Sequence, residues 1–164
     1  MNREEALEVL VMGTDIQFTP KQIDYILSDE INEIWARCTG KSFALLYSNI
    51  IDILSEENQR NLIITDSCDG ARMLSIEMLN ILDNLNIKHT VRVRNYNVTI
   101  LIQDDLYGPH EIIFMSRKQS NYRGLRFHNV YIDSTADYDD LYLRVNVLRC
   151  SFPITLRTSF KALN

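Results

Sequence analysis

The sequence predicts an α/β domain: a three-layer core with a mostly parallel sheet, helices on both faces and one β-hairpin. Short apolar runs at 31–36, 61–65, 111–115, 129–133 and 154–158 alternate with segments of helical periodicity. Asn61-Leu62-Ile63-Ile64-Thr65 is nearly continuous in apolar character, as expected of a strand buried on both faces. Two alternating segments, His89 to Arg94 and Val98 to Gln103, joined at Asn95-Tyr96-Asn97, give the hairpin.

Each element has a local cause. Residues 3–12 place Ala6, Leu7, Leu10 and Val11 on one helical face, and Gly13 stops the helix. Thr19-Pro20 reads as an N-cap followed by proline at the first helical position. The helix it starts runs through Gln22, Ile23, Ile26 and Leu27. Ile31 to Ala36 is expected as the first strand. From Ser42, the residues Phe43, Leu46, Tyr47, Ile50, Ile51 and Leu54 form a stripe that predicts a helix with one buried face. Cys68 to Leu85 is a further helix, with Met73, Leu74, Met78, Leu79, Ile81 and Leu82 expected to face inward. Tyr138 to Leu148 is the last expected helix. Residues 1–164 show no repeat, low-complexity tract or linker, so one domain is expected.

Composition narrows the function classes. A length of 164 residues with 46% hydrophobic and 24% charged residues suits one folded domain with a real core. No apolar run approaches membrane-spanning length, so no membrane partner is expected, and the first residues lack signal-peptide form. Cys38, Cys68 and Cys150 have neither metal nor disulfide spacing, which points to a reducing compartment. The net charge of −5 argues against non-specific coating of DNA, so any nucleic-acid contact must come from a local patch.

The chemistry concentrates at Ala36-Arg37-Cys38-Thr39-Gly40-Lys41-Ser42. Gly-Lys-Ser between an apolar run and an amphipathic helix suits a loop that wraps nucleotide phosphates. Backbone N–H groups from Thr39 to Ser42 and the helix N-terminus would face the anion. Lys41 would reach the outer phosphates and the Ser42 hydroxyl would ligate Mg²⁺. Trp35 stands where the full pattern has its first glycine.

A nucleotide motor also needs an acid at the end of a buried strand next to the strand that enters this loop. Val130-Tyr131-Ile132-Asp133 has that form, and Asp133 would meet the ion held by Ser42 through water. An Asp here equally suits a cap for the helix starting near Asp137. Hydrolysis needs a base or water-orienting group, usually a Glu after that Asp, and the residue here is Ser134. Asp137 is the nearest candidate to replace it, with Asp139 and Asp140 beyond. A solvated, dipole-favoured helix start is the commoner reading of these three acids. Residues 116–127 carry Arg117, Lys118, Arg123 and Arg126 with Tyr122 and Phe127. Such a loop can touch phosphate and stack on bases, although an exposed, solvated loop is the commoner outcome.

The order of these motifs resembles the ATPase domain of the large terminase subunit, the P-loop NTPase motor that packages DNA into tailed-phage and herpesvirus heads. That family's P-loop often lacks its first glycine and has an arginine three residues before the invariant glycine, as in Arg37-Cys38-Thr39-Gly40-Lys41-Ser42. A glutamine-bearing segment precedes the loop, as in Phe18-Thr19-Pro20-Lys21-Gln22. Met115-Ser116, Arg123-Gly124, Tyr131-Ile132-Asp133 and Thr158-Ser159 follow the family's order of strand-end serine, Arg-Gly pair, acidic strand end and coupling motif. The resemblance spans about residues 18–160.

It implies that ATP and Mg²⁺ are the ligands. Gln22 would read the adenine edge, and Gly40, Lys41 and Ser42 would hold phosphates and the ion. Arg37 would stabilise γ-phosphate charge, Asp133 would position the metal-bound water, and Thr158 would couple nucleotide state to movement. Arg123 and Arg126 would contact phosphate or DNA. It also implies double-stranded DNA as a partner, a homo-oligomeric ring or other viral packaging proteins, and the cytoplasm of an infected host cell. Ser134 departs from the family pattern, and the family's nuclease domain is not expected in this chain. The alternative is a catalytically impaired P-loop module that docks to a viral or host protein.

Overall fold

The computed structural model describes residues 1–28, 30–31, 34–35, 40–94, 97–116, 127–133 and 155–161. Four helices and eight strands fall within them: α1 (Arg3–Gly13), α2 (Pro20–Leu27), β1 (Glu30–Ile31), β2 (Ile34–Trp35), α3 (Lys41–Ser55), β3 (Arg60–Thr65), α4 (Cys68–Asn84), β4 (His89–Arg94), β5 (Asn97–Ile102), β6 (His110–Ser116), β7 (Asn129–Asp133) and β8 (Thr155–Lys161).

The helix starts follow the sequence. Asn2 caps α1 by accepting the Glu5 N–H at 2.8 Å, while the Glu5 carboxylate accepts the Asn2 N–H at 3.1 Å. Thr19 and Gln22 make the same reciprocal box at the start of α2, with Pro20 at its first position. Ser67 caps α4 through the Gly70 N–H at 3.0 Å. The expected strand 31–36 is described as two short pairings, β1 and β2, both on β8.

The sheet is mixed, in the order β1-β8-β7-β3-β6-β5-β4, with β2 also beside β8. From β1 to β6 neighbouring strands run parallel, and β5 and β4 then turn back antiparallel as the hairpin at one edge. Ile63 pairs in register with Phe114 and Tyr131, and this row faces the helices as one core with Val98, Ile100 and Ile112. Among the described residues, α1 to α4 all belong to that one core. The opposite sheet face is buried as well, through Leu62, Ile64, Met115, Val130 and Ile132. The expected helix 138–148 lies outside the described residues.

Three burial expectations need correction. α3 is buried almost all round, with Ala44 through Ile53 shielded, where one face was expected. The cause is a second helical layer: α1 and α2 both pack on α3 and cover the side away from the sheet. In α4 the inward set is Ala71, Leu74, Ser75, Met78 and Leu82, and Met73 is exposed. Val11 of α1 is likewise exposed.

Candidate functional site

The site is built at the carboxyl ends of the parallel strands, where open α/β sheets place their ligands. Ser116, Thr65 and Asp133 close β6, β3 and β7 in one cross-strand row, which continues to Ser159 within β8. Above that row, α3 begins directly after Gly40. Gly40 adopts φ 78, the left-handed region that favours glycine, and supplies no side chain to cap the helix. The first N–H groups of α3 are therefore offered to whatever approaches that end, and an anion suits them best.

Lys41 and Ser42 open α3 and both reach Asp133. The Lys41 ammonium pairs with one carboxylate oxygen, and Ser42 Oγ lies 3.5 Å from the other. The Lys41 side chain is 6% exposed and that of Asp133 10%, so the pair sits in partly excluded surroundings. There a Coulomb interaction is stronger than in bulk water. β7 was expected beside the strand entering the loop, but β8 lies between them. α3 closes the gap by crossing over β7: Tyr131 Oη meets Ser48 Oγ at 3.0 Å and Asp52 at 2.6 Å.

Gln22 lies on the other side of Gly40. Its amide nitrogen donates to the Gly40 carbonyl at 3.0 Å, and its oxygen accepts the Thr19 N–H at 2.9 Å. A Cβ on Gly40 would fall 2.2 Å from the Gln22 nitrogen. In this arrangement Gln22 fixes the loop end against α2, with both ends of its amide taken by backbone. Phe18, Phe43 and Tyr47 form a ring cluster nearby, with centroids 4.6–5.5 Å apart, and burial raises the pKa of the Tyr47 phenol.

A cleft of about 230 Å³ opens beside the ion pair, lined by Ser42, Thr65, Asp66, Ser67, Gly70, Met73, Leu74, Glu77 and Asp133. Sequence reasoning missed the contribution of β3 and α4 to this cleft. The only available signal was the run Thr65-Asp66-Ser67 directly after an apolar strand. Thr158 lies in β8 opposite Ile132, and its neighbour Ser159 is the residue in register with Asp133. Arg37, Thr39, Arg123, Arg126, Ser134 and Asp137 lie outside the described residues. The basic loop is therefore described only at its flanks, where Phe127 is buried under the Arg60 guanidinium at 5.6 Å.

The donor set fits nucleotide and a hard cation. A hydroxyl and a carboxylate converge, as Mg²⁺ prefers when substrate phosphates complete its shell. The uncapped helix start and Lys41 supply the positive field for the phosphates.

No family model matches the sequence, and no curated protein matches it by sequence. Solved structures do match by fold. The HK97 bacteriophage large terminase aligns with TM-score 0.61 at 16% identity, covering 89% of this chain and 33% of that one. The Thermus phage P74-26 large terminase ATPase domain aligns with TM-score 0.57 at 15% identity, covering 92% and 68%. A large terminase from a thermophilic bacteriophage in complex with ATP-gamma-S gives TM-score 0.63 at 12% identity, covering 88% and 38%. The chain thus spans about a third of the HK97 protein and most of its own length is shared. Among the described residues no helix is long and apolar enough to cross a membrane. Its fold is that of phage large-terminase ATPase domains.

Proposed function

We propose that this chain is an ATP-binding motor domain of the terminase type, acting in viral DNA packaging. The observation that carries the reading is the convergence of Lys41 and Ser42 on Asp133 at the carboxyl end of the sheet, directly after a left-handed Gly40. The triphosphate lies against the start of α3, and Lys41 exchanges Asp133 for the outer phosphates. Ser42 and Asp133 would hold Mg²⁺, which neutralises charge on the β- and γ-phosphate oxygens. Burial makes this exchange possible: Lys41 is already desolvated by the fold, so phosphate replaces a carboxylate rather than a full hydration shell.

Gln22 holds the Gly40 carbonyl and so keeps the cradle in register with α2, where the ring cluster offers an apolar flank for a base. Arg37 and Thr39 would complete the loop, and Arg123 and Arg126 would face duplex DNA. Thr158 would pass the nucleotide state along β8. A ring of several copies, in the cytoplasm of an infected cell, is the assembly this reading implies.

The test is steady-state ATP turnover with and without duplex DNA. Wild type should show turnover that DNA stimulates, and Lys41→Ala should lower it at least about 10²-fold, the scale seen when one preorganised charge-stabilising group is removed. Equal turnover in the two proteins would reject the motor reading. Nucleotide binding without turnover would instead favour the impaired module that docks to a viral or host protein.

A further inference from the structure

Ser134 stands where the resembled family has its water-activating Glu, and a hydroxyl cannot carry the negative charge that role uses. We propose that Asp66, at the end of the neighbouring strand, supplies the missing carboxylate and orients the attacking water. The inference rests on the ATP-binding reading above.

The geometry comes from the sheet. Thr65 is the cross-strand partner of Asp133, so the residue that follows it leaves β3 beside the tip of β7. Asp66 is partly exposed and lines the same cleft as Ser42 and Asp133. Its backbone position is held on both sides. Ser116 Oγ donates to the Asp66 carbonyl at 3.5 Å, and Thr65 Oγ1 donates to the Ser67 carbonyl at 2.8 Å. A group that must orient a water within a few tenths of an ångström needs such support.

Among the described residues, Glu77 is the third carboxylate lining the cleft, with Asp66 and Asp133. It lies seven residues beyond Gly70 on α4, roughly 10 Å along the helix axis. A Cβ added to Gly70 would lie 3.6 Å from the Thr65 side chain, so Gly70 marks the strand-end level and Glu77 lies well below it. Glu77 is also exposed, which leaves its long side chain free to wander.

The step balances without a further reactant. Water oxygen bonds to the γ-phosphorus as the bond from that phosphorus to the β–γ bridging oxygen breaks. ADP leaves with the electron pair, and both water protons depart on inorganic phosphate. Asp66 accepts a hydrogen bond from the water throughout and points its lone pair at phosphorus.

The test compares ATP affinity and single-turnover hydrolysis in wild type, Asp66→Asn, Glu77→Gln and the double variant Asp66→Asn/Ser134→Glu. Asp66→Asn should bind ATP within about twofold of wild type and hydrolyse it about 10²-fold more slowly, the lower end for positioned acid–base groups. Glu77→Gln should hydrolyse at close to the wild-type rate. Adding Ser134→Glu should return at least about tenfold of the lost rate, which a merely structural role for Asp66 would not allow. Should Asp66→Asn fail to fold, Asp66→Ser takes its place. Unchanged hydrolysis in the Asp66 variant, or no rescue by Ser134→Glu, would overturn the inference. A wild type that binds ATP without hydrolysing it would overturn it too, while leaving nucleotide binding intact. A wild type that does not bind ATP would instead reject the motor reading itself.

Discussion

Two carboxylates on the helix-covered side of the sheet, Asp52 and Asp133, each pair with a cation, Arg3 and Lys41 among the described residues, yet their surroundings differ. Asp52 is 1% exposed in the last turn of α3. Arg3 pairs with one oxygen, and the other accepts from Asn61 at 2.9 Å and Tyr131 at 2.6 Å. Each partner is held in turn. Arg3 donates to the Ile26 carbonyl at 2.7 and 2.9 Å, near the end of α2, and Asn61 bridges Asn49 and Asn129, both at 2.8 Å. This network ties α1, α2, α3, β3 and β7 together. Asp133 sits instead at a strand end with Lys41 and Ser42, and its side opens to the cleft. An ion pair enclosed by its own fold specifies structure, whereas one bordering a cleft can exchange a partner for ligand.

That contrast predicts opposite outcomes for matched variants. Asp52→Ala leaves the Arg3 guanidinium mostly buried without its carboxylate, and it removes an acceptor from Asn61 and Tyr131. It should cost about 3–5 kcal/mol of stability, read as a large fall in the denaturant midpoint. Asp133→Asn should cost less than half as much, because the long Lys41 stem lets its ammonium swing into the cleft, and it should nevertheless remove ATP turnover. Equal destabilisation by the two variants would erase the distinction between them.

Gly40→Ala probes the cradle alone. The left-handed backbone should cost about 1–2 kcal/mol, and the new Cβ must displace the Gln22 amide from the Gly40 carbonyl. ATP affinity should fall along with stability. Gln22→Ala made in the same background should then add less than it does alone, because the contact is already lost.

The smallest effect is a pH dependence at the opposite end of the strands, where His110 opens β6. His110 is buried, and its Nδ1 accepts the Gln59 N–H at 3.1 Å. Burial holds its pKa below the ordinary value, while the negative charges of Asp52 and Glu57 oppose that shift. The unfolded chain therefore binds the proton more readily. The stabilisation is complete above the unfolded value near 6.5 and fades as pH falls from there through the lower folded value. The slope from one proton stays under about 1.4 kcal/mol per pH unit. Denaturant melts from pH 7.5 to 5 should show a decline that His110→Asn flattens, and an unchanged slope in the variant would contradict it.

Much of the fold was legible because its signals are local. Thr19-Pro20 announces α2, the stripe after Ser42 announces α3, and the apolar run ending in Asp133 announces β7. The meeting of Lys41, Ser42 and Asp133 was legible for a similar reason, since Gly-Lys-Ser and a strand-end acid each mark a carboxyl edge. The Asp52 network was not legible. Ser48, Asn49 and Asp52 read as the solvated face of an amphipathic helix, whereas in the fold they meet Asn61 and Tyr131 of the sheet, with Arg3 of α1 beside them. Gln22 illustrates the same limit, because its contact with Gly40 joins residues 18 positions apart through the tertiary fold. The strand order was likewise hidden: nothing local to residues 155–161 says that β8 inserts between β1 and β7.

The most direct measurement is calorimetric titration of Mg²⁺-ATP into wild type and Lys41→Ala, with both proteins shown to be folded. Saturable one-site binding by wild type, weakened at least about tenfold in the variant, or about 1.4 kcal/mol, is the expected result. Equal affinity in both proteins, or no binding by wild type, would contradict the claim that the start of α3 and the Asp133 strand end form a triphosphate site.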